Sequence, residues 1–170
     1  MSSPAYLAHM QSDDGSLSAA DLIATYEEQI DLLRAAVSGL TTEQLRARPI
    51  AGKWSTLEVV CHLTDCELYF SERMIRTIAL ERPLLISVDE GPYPERLNYQ
   101  SLDINEQLEL FTALRRHVAR SLKAQPVEGW QRSAVHSGLG LVTLRKLVLY
   151  AIRHISHHLP FIAEKRAALK

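Results

Sequence analysis

Apolar residues recur along this chain at the three- and four-residue steps of helices, in four blocks separated by Pro- and Gly-containing connections. Leu22, Ile23, Tyr26, Ile30, Leu33 and Val37 predict a first helix from about Ala19 to Ser38, with Gly39 as its stop. Thr41 to Leu45 adds at most one further turn before Pro49. The second helix has a clear start, because Ser55-Thr56-Leu57-Glu58 places a cap residue three positions before a glutamate, the capping-box pattern. It should continue to about Glu81, with Pro83 forbidding more. A third helix begins at the cap-like Asp103-Ile104-Asn105-Glu106 and runs to about Lys123, and Thr143 caps a fourth that runs toward the C-terminus. Pro160 sits inside this last helix, where it frees the Ser156 carbonyl and tends to kink the backbone. No run alternates convincingly enough for a strand, and no internal repeat is visible.

The connections over residues 82–102 and 124–142 are longer than a compact domain usually carries, which hints at function. Four helices of about 20 residues joined in this way predict an all-α fold, a four-helix bundle with long crossover connections whose topology is free to depart from up-down-up-down. Residues 1–17 carry Ser, Asp, Gly and Pro and read as a flexible tail, leaving 18–170 as one domain.

Composition narrows the function classes. The 170 residues are 46% hydrophobic and 23% charged, ordinary for a globular protein. A formal charge of −1 gives no global electrostatic case for nucleic acid or an anionic membrane. No apolar run approaches the roughly 20 residues of a membrane span. The N-terminus lacks the basic-then-apolar order of a signal peptide, so a cytoplasmic location is the default expectation. Cys61 and Cys66 are too far apart along one helix, at more than about 7 Å, for a disulfide. Both read as reduced packing residues that point to different sides of the second helix, neither of them on the strip of His62.

The candidate chemistry lies in His154-Ile155-Ser156-His157-His158. On a helix His154 and His158 share a face, at the edge of the apolar arc of Leu144, Val148, Ala151, Ile155 and Ile162, whereas His157 turns outward with Lys146, Arg153 and Glu164. Two neutral imidazoles aimed at one point favour a divalent-metal site over two unrelated core-edge histidines. In the second helix Glu58, His62, Asp65, Tyr69, Glu72 and Arg76 form a polar strip flanked by apolar residues. Periodicity leaves open whether that strip is a solvated face or lines a wet cavity. Glu58 is best explained by the capping box, and His136 reads as an exposed loop histidine. Trp54 reads as a core anchor, while Tyr93, Tyr99 and Trp130 either cover the ends of the bundle or wall a pocket.

Two blocks carry a family resemblance. One is Gly52-Lys53-Trp54-Ser55 followed by Glu58-Val59-Val60 and His62-Leu63-Thr64-Asp65; the other is Gly138, Gly140 and Thr143-Leu144, then His154, His157-His158 and Ile162. In order and separation they resemble the DinB/YfiT-like family of small four-helix metal-binding proteins. The resemblance implies a three-histidine metal site, which falls here on His62, His154 and His158. It also implies metal-dependent hydrolysis or transfer reactions with low-molecular-weight thiols, acting on a small-molecule substrate.

Three neutral ligands leave a coordination position for water or a substrate sulfur. A metal acidifies either one, so the site suits both hydrolysis and thiol transfer. Zinc is the default ion, with nickel or iron also acceptable to imidazoles. Asp65, about one turn beyond His62, is a candidate for orienting a ligand or relaying a proton. The rival expectations are a metal-binding or stress-response module without catalysis, and a bundle whose histidines merely pack. Apolar residues Val59, Leu63, Phe70 and Met74 opposite the polar strip suit either bundle burial or a contact in a homodimer, the expected oligomer.

Overall fold

The computed structural model describes residues 15–169. The expected tail over 1–17 therefore lies, up to residue 14, outside the described residues. Four long helices form: α1 (Ala19–Val37), α3 (Thr56–Ala79), α5 (Ile104–Lys123) and α6 (Leu144–Ala168). The short α2 (Thr42–Arg46) precedes α3, and α4 (Tyr93–Arg96) lies between α3 and α5. The starts obey local chemistry. The Ser55 side chain accepts from the Glu58 N–H while the Glu58 carboxylate accepts from the Ser55 N–H, and Asp103 and Thr143 cap α5 and α6 as expected. Helix α6 continues through Pro160.

Helices α1 and α3 each pack against α5 and α6. The chain therefore crosses a diagonal of the bundle twice, from α1 to α3 and from α5 to α6. Neighbouring helices can be joined by a few residues, but a diagonal step needs a longer path, which accounts for the connections over 38–55 and 124–143. Val59, Leu63, Phe70 and Met74 are all buried within the chain, so the apolar breadth of α3 is used up inside the bundle. No helix among the described residues is long and apolar enough to cross a membrane.

The structure corrects the expectation of no strands. The parallel pair β1 (Leu84–Leu85) and β2 (Ser133–His136), followed by antiparallel β3 (Gly140–Thr143), makes a three-stranded sheet in the order β1-β2-β3. Strands of two to four residues are too short to display alternation in a sequence. A Cβ at Gly138 in the β2–β3 turn would lie 2.6 Å from Ser87 Oγ, so a larger residue there would displace that side chain. The sheet thus ties the α3–α5 connection to the α5–α6 connection.

The core falls into two apolar clusters. One gathers Leu22, Tyr26, Phe70, Met74, Trp130 and Val148; the other gathers Ile30, Leu33, Leu57, Leu63, Phe111 and Ile155. Tyr99 belongs to the second cluster and Tyr93 packs against it, so the loop aromatics cover apolar surface rather than stand free. A buried polar layer lies between the clusters. Arg115, fully buried, donates Nε to Glu67 at 3.0 Å and Nη1 to the Tyr26 carbonyl and to Gln29 Oε1 at 2.7 and 2.8 Å. Its Nη2 reaches the Ala151 carbonyl at 3.3 Å, and the Tyr26 hydroxyl donates to Glu67. One guanidinium therefore joins all four long helices.

Candidate metal centre

His62 comes from α3, and His154 and His158 from successive turns of α6. The α3–α6 contact brings one ring nitrogen of each within 4.8 Å of the others. His62 Nε2 lies 3.2 Å from His154 Nε2. That spacing is close to the edge of a tetrahedron built with metal–nitrogen bonds of about 2.0–2.1 Å. The rings meet edge to face, with centroids 5.1, 4.9 and 4.7 Å apart around the triangle.

The surroundings settle the protonation state. Burial pushes the His62 pKa down to about 4 from the ordinary value of 6.5. For His158, burial and then the charges of His62, His157 and Lys165 bring it to about 3, and burial with the two neighbouring imidazoles holds His154 well below the usual range. All three rings are thus neutral near pH 7, the form that ligates metal. The Nδ1 atoms of His154 and His158 are buried without a protein hydrogen-bond partner. Buried polar atoms in that state are uncommon, and the cluster is not a set of satisfied core histidines. The donor set and its spacing fit a divalent cation.

A stability consequence follows with a definite sign. In the unfolded chain these histidines protonate near 6.5, in the folded chain only near 4 or below. Between those values the unfolded state binds more protons, so the metal-free protein is expected to lose stability as pH falls from about 6.5 toward 4. Urea midpoints measured at steps across that range check this, and His62→Gln should flatten the decline.

The structure sorts the remaining candidates. His157 is exposed, as its place on the helix predicts, with its ring against those of His158 and Phe161. Asp65 does not join the histidines; its carboxylate accepts a 2.5 Å hydrogen bond from Tyr99 Oη. Glu58 is buried, held by its capping box and by an ion pair with Arg48. The polar strip of α3 is therefore neither wholly solvated nor wholly internal: Glu58 and His62 are buried, while Glu72 is exposed.

Two expectations fail. Cys66 was expected off the His62 strip, yet its Sγ lies 3.7 Å from His62 Nδ1, because a residue four positions on is only about 40° away on a helix. His136 is not an exposed loop histidine. It is buried on β2, its Nδ1 accepting from the Gly138 N–H at 3.1 Å, because the sheet absent from the sequence reading draws its loop inward. His117 is exposed on α5 beside Arg120, and His9 lies outside the described residues.

Sequence reasoning missed the wall of the site and the layer beneath it. Trp54 is more than a core anchor, since its ring packs 5.1 Å from that of His62, and Phe70 packs 5.6 Å from His154. Glu67 and Arg115 were detectable as charged residues standing in the apolar stripes of their helices, between Leu63 and Phe70 and between Phe111 and Val118.

Comparison with known proteins places this geometry. Residues 25–162 match the family described as the DinB superfamily. An Oceanobacillus iheyensis protein named "Putative metal-dependent hydrolase" is 28% identical over 131 residues, covering 77% of this chain and 76% of that protein. Among solved structures, YfiT from Bacillus subtilis, a four-helix bundle of unusual topology, aligns with a TM-score of 0.84 at 23% identity over 93% of both chains. A mycothiol-dependent maleylpyruvate isomerase aligns with a TM-score of 0.68 at 10% identity, over 85% of this chain and 60% of that one. At these identities the two structures establish the shared fold.

Proposed function

This chain belongs to the DinB superfamily, and from that premise we propose that it is a divalent-metal-dependent hydrolase acting on a small molecule through His62, His154 and His158. The observation that carries the reading is the convergence of three neutral imidazoles, two buried and one half-buried, from two helices within 4.8 Å. Zinc is the proposed ion, because sites with three histidines suit it. The description of the Oceanobacillus relative supports hydrolysis. A bound ion would supply Lewis-acid polarisation and acidify a water or thiol brought to it.

The residues of the chain do the rest. The α6 pair and His62 present lone pairs toward one point, and Trp54 and Phe70 exclude bulk water from their rings. Asp65, oriented by Tyr99, is the proposed proton acceptor. Transfer of a low-molecular-weight thiol is the second reading, favoured by the fold shared with the mycothiol-dependent enzyme.

The test starts from protein purified without an affinity tag. About one divalent ion per chain is expected by elemental analysis, given three ligands of one site. Esters, amides and electrophile-plus-thiol pairs are then screened. Chelation should abolish any rate found and re-addition should restore it. Asp65→Asn is expected to lower that rate by about 100-fold, the scale of general acid–base catalysis, while metal content stays unchanged. Undiminished turnover in Asp65→Asn removes that residue from the mechanism; metal-free protein with full turnover removes the proposal.

A further inference from the structure

We propose that Arg73 and the Tyr69 hydroxyl form a carboxylate-binding subsite on the same α3–α6 seam as the three histidines. The substrate of the metal site would then be a small molecule carrying a carboxylate at its far end. The substrate assignment rests on the metal reading above; the subsite itself does not.

The seam is continuous. His62, Cys66, Tyr69 and Arg73 follow one another down α3 at steps of four, three and four, and Tyr150, His154 and His158 run along α6 at steps of four. Phe70 joins the two rows, its ring 5.3 Å from Tyr150 and 5.6 Å from His154. At the far end Arg73 is half-buried. Its Nη2 donates to the Ile86 carbonyl at 2.7 Å, and no carboxylate forms an ion pair with it among the described residues. Burial draws its pKa below the ordinary arginine value, against the opposing pull of Glu72 and Glu90, neither of which pairs with it directly.

Two donors, Tyr69 and His136, lie near Arg73. Its guanidinium carbon lies 5.9 Å from the centre of the Tyr69 ring. The Tyr69 hydroxyl is buried with no hydrogen bond at standard geometry, although Tyr93 lies near enough to act on it as a weak partner and meets the ring edge-on at 6.2 Å. His136 feels the Arg73 charge, and because its Nδ1 accepts from Gly138 its proton sits on Nε2. A guanidinium fork over the ring of a tyrosine whose hydroxyl makes no hydrogen bond at standard geometry offers donors to a carboxylate. Glu90 is close enough to influence Cys66, Tyr150 and Arg73, and its negative charge disfavours a dianionic phosphate more than a single carboxylate.

The spacing sets the ligand length. Eleven residues of helix separate His62 from Arg73, about 16 Å of rise, and because both side chains lean toward the helix N-terminus the span stays of that order.

Hydroxamates supply the probe, because they chelate metal while carrying a chosen tail. Zinc-loaded protein is titrated calorimetrically with acetohydroxamate and with monohydroxamates of straight-chain diacids of increasing length, each against its methyl ester. At one or more lengths the free carboxylate is expected to bind at least about tenfold tighter than its ester. Arg73→Gln should reduce that preference to within about twofold and leave acetohydroxamate unchanged, Arg73→Lys should keep part of it, and Tyr69→Phe should lower it by about threefold to tenfold. Tyr69→Phe and Arg73→Lys guard against loss of the Ile86 contact. Absence of a carboxylate preference at every length, or its survival in Arg73→Gln, overturns the proposal.

A second arm uses metal-free protein and unmodified pimelate, followed by NMR shifts of the tyrosine rings. Saturable binding that Arg73→Gln loses is expected there too, and its absence also overturns the subsite. Failure of zinc to bind, with pimelate binding intact, would instead condemn the metal reading alone.

Discussion

Replacing His154 by alanine is expected to lower the affinity of the protein for zinc by more than about 100-fold, because even the groups that merely support metal ligands are commonly worth 10- to 100-fold. His154 is held on several sides. Its Nε2 faces His62 Nε2 at 3.2 Å, its ring packs on Phe70, and it is 6% exposed. Without it, two nitrogens remain, and neither α3 nor α6 offers a carboxylate to the group. Competition against a chromophoric chelator measures the loss. His157→Ala is the informative control, because that exposed ring lies on the outer side of His158 and should leave affinity within about threefold. If His154→Ala bound zinc as tightly as the parent while His157→Ala did not, the ligand set argued above would be wrong. Circular dichroism of the metal-free variant separates loss of the site from loss of the fold.

The second large effect lies beneath the site. Arg115→Ala is expected to destabilise the protein by about 3–5 kcal/mol, the cost of stranding a buried charge after removing its partner. Glu67 is 1% exposed and would lose its guanidinium, while Gln29 and the Tyr26 and Ala151 carbonyls would lose their donor. For a chain of this size that corresponds to a fall in Tm of about 6–20 °C. Replacing both charges, Glu67→Leu with Arg115→Met, should cost less than Arg115→Ala alone, because no unpaired ion remains. Urea denaturation of the three proteins decides this. A small loss in Arg115→Ala would mean that water replaces the guanidinium and that the layer does not hold the helices together. Since α3 and α6 are both tied to Arg115, slackening there should also weaken metal binding.

Much of this was legible from residue order. The caps at Ser55, Asp103 and Thr143 specify helix starts through side-chain geometry that operates within one turn. The i, i+4 relation of His154 and His158, and the outward turn of His157, follow from helix pitch alone. The pitch also places Cys66 one turn beyond His62, although it lies outside the polar strip as assigned from the sequence. His62 was a different case, because its strip was equally compatible with solvent, and the family resemblance had to supply it.

What the chain determined by itself is local: where helices start and stop, which faces are apolar, and which histidines share a face. These depend on interactions spanning three or four residues. What the tertiary structure alone decided is every relation across the bundle. The diagonal crossings, the short sheet that buries His136, the Arg115 layer and the meeting of α3 with α6 join positions some 50 to 120 residues apart. Such contacts form because burial of many apolar side chains offsets the entropy of closing long loops, a balance struck over the whole core rather than written in any one segment.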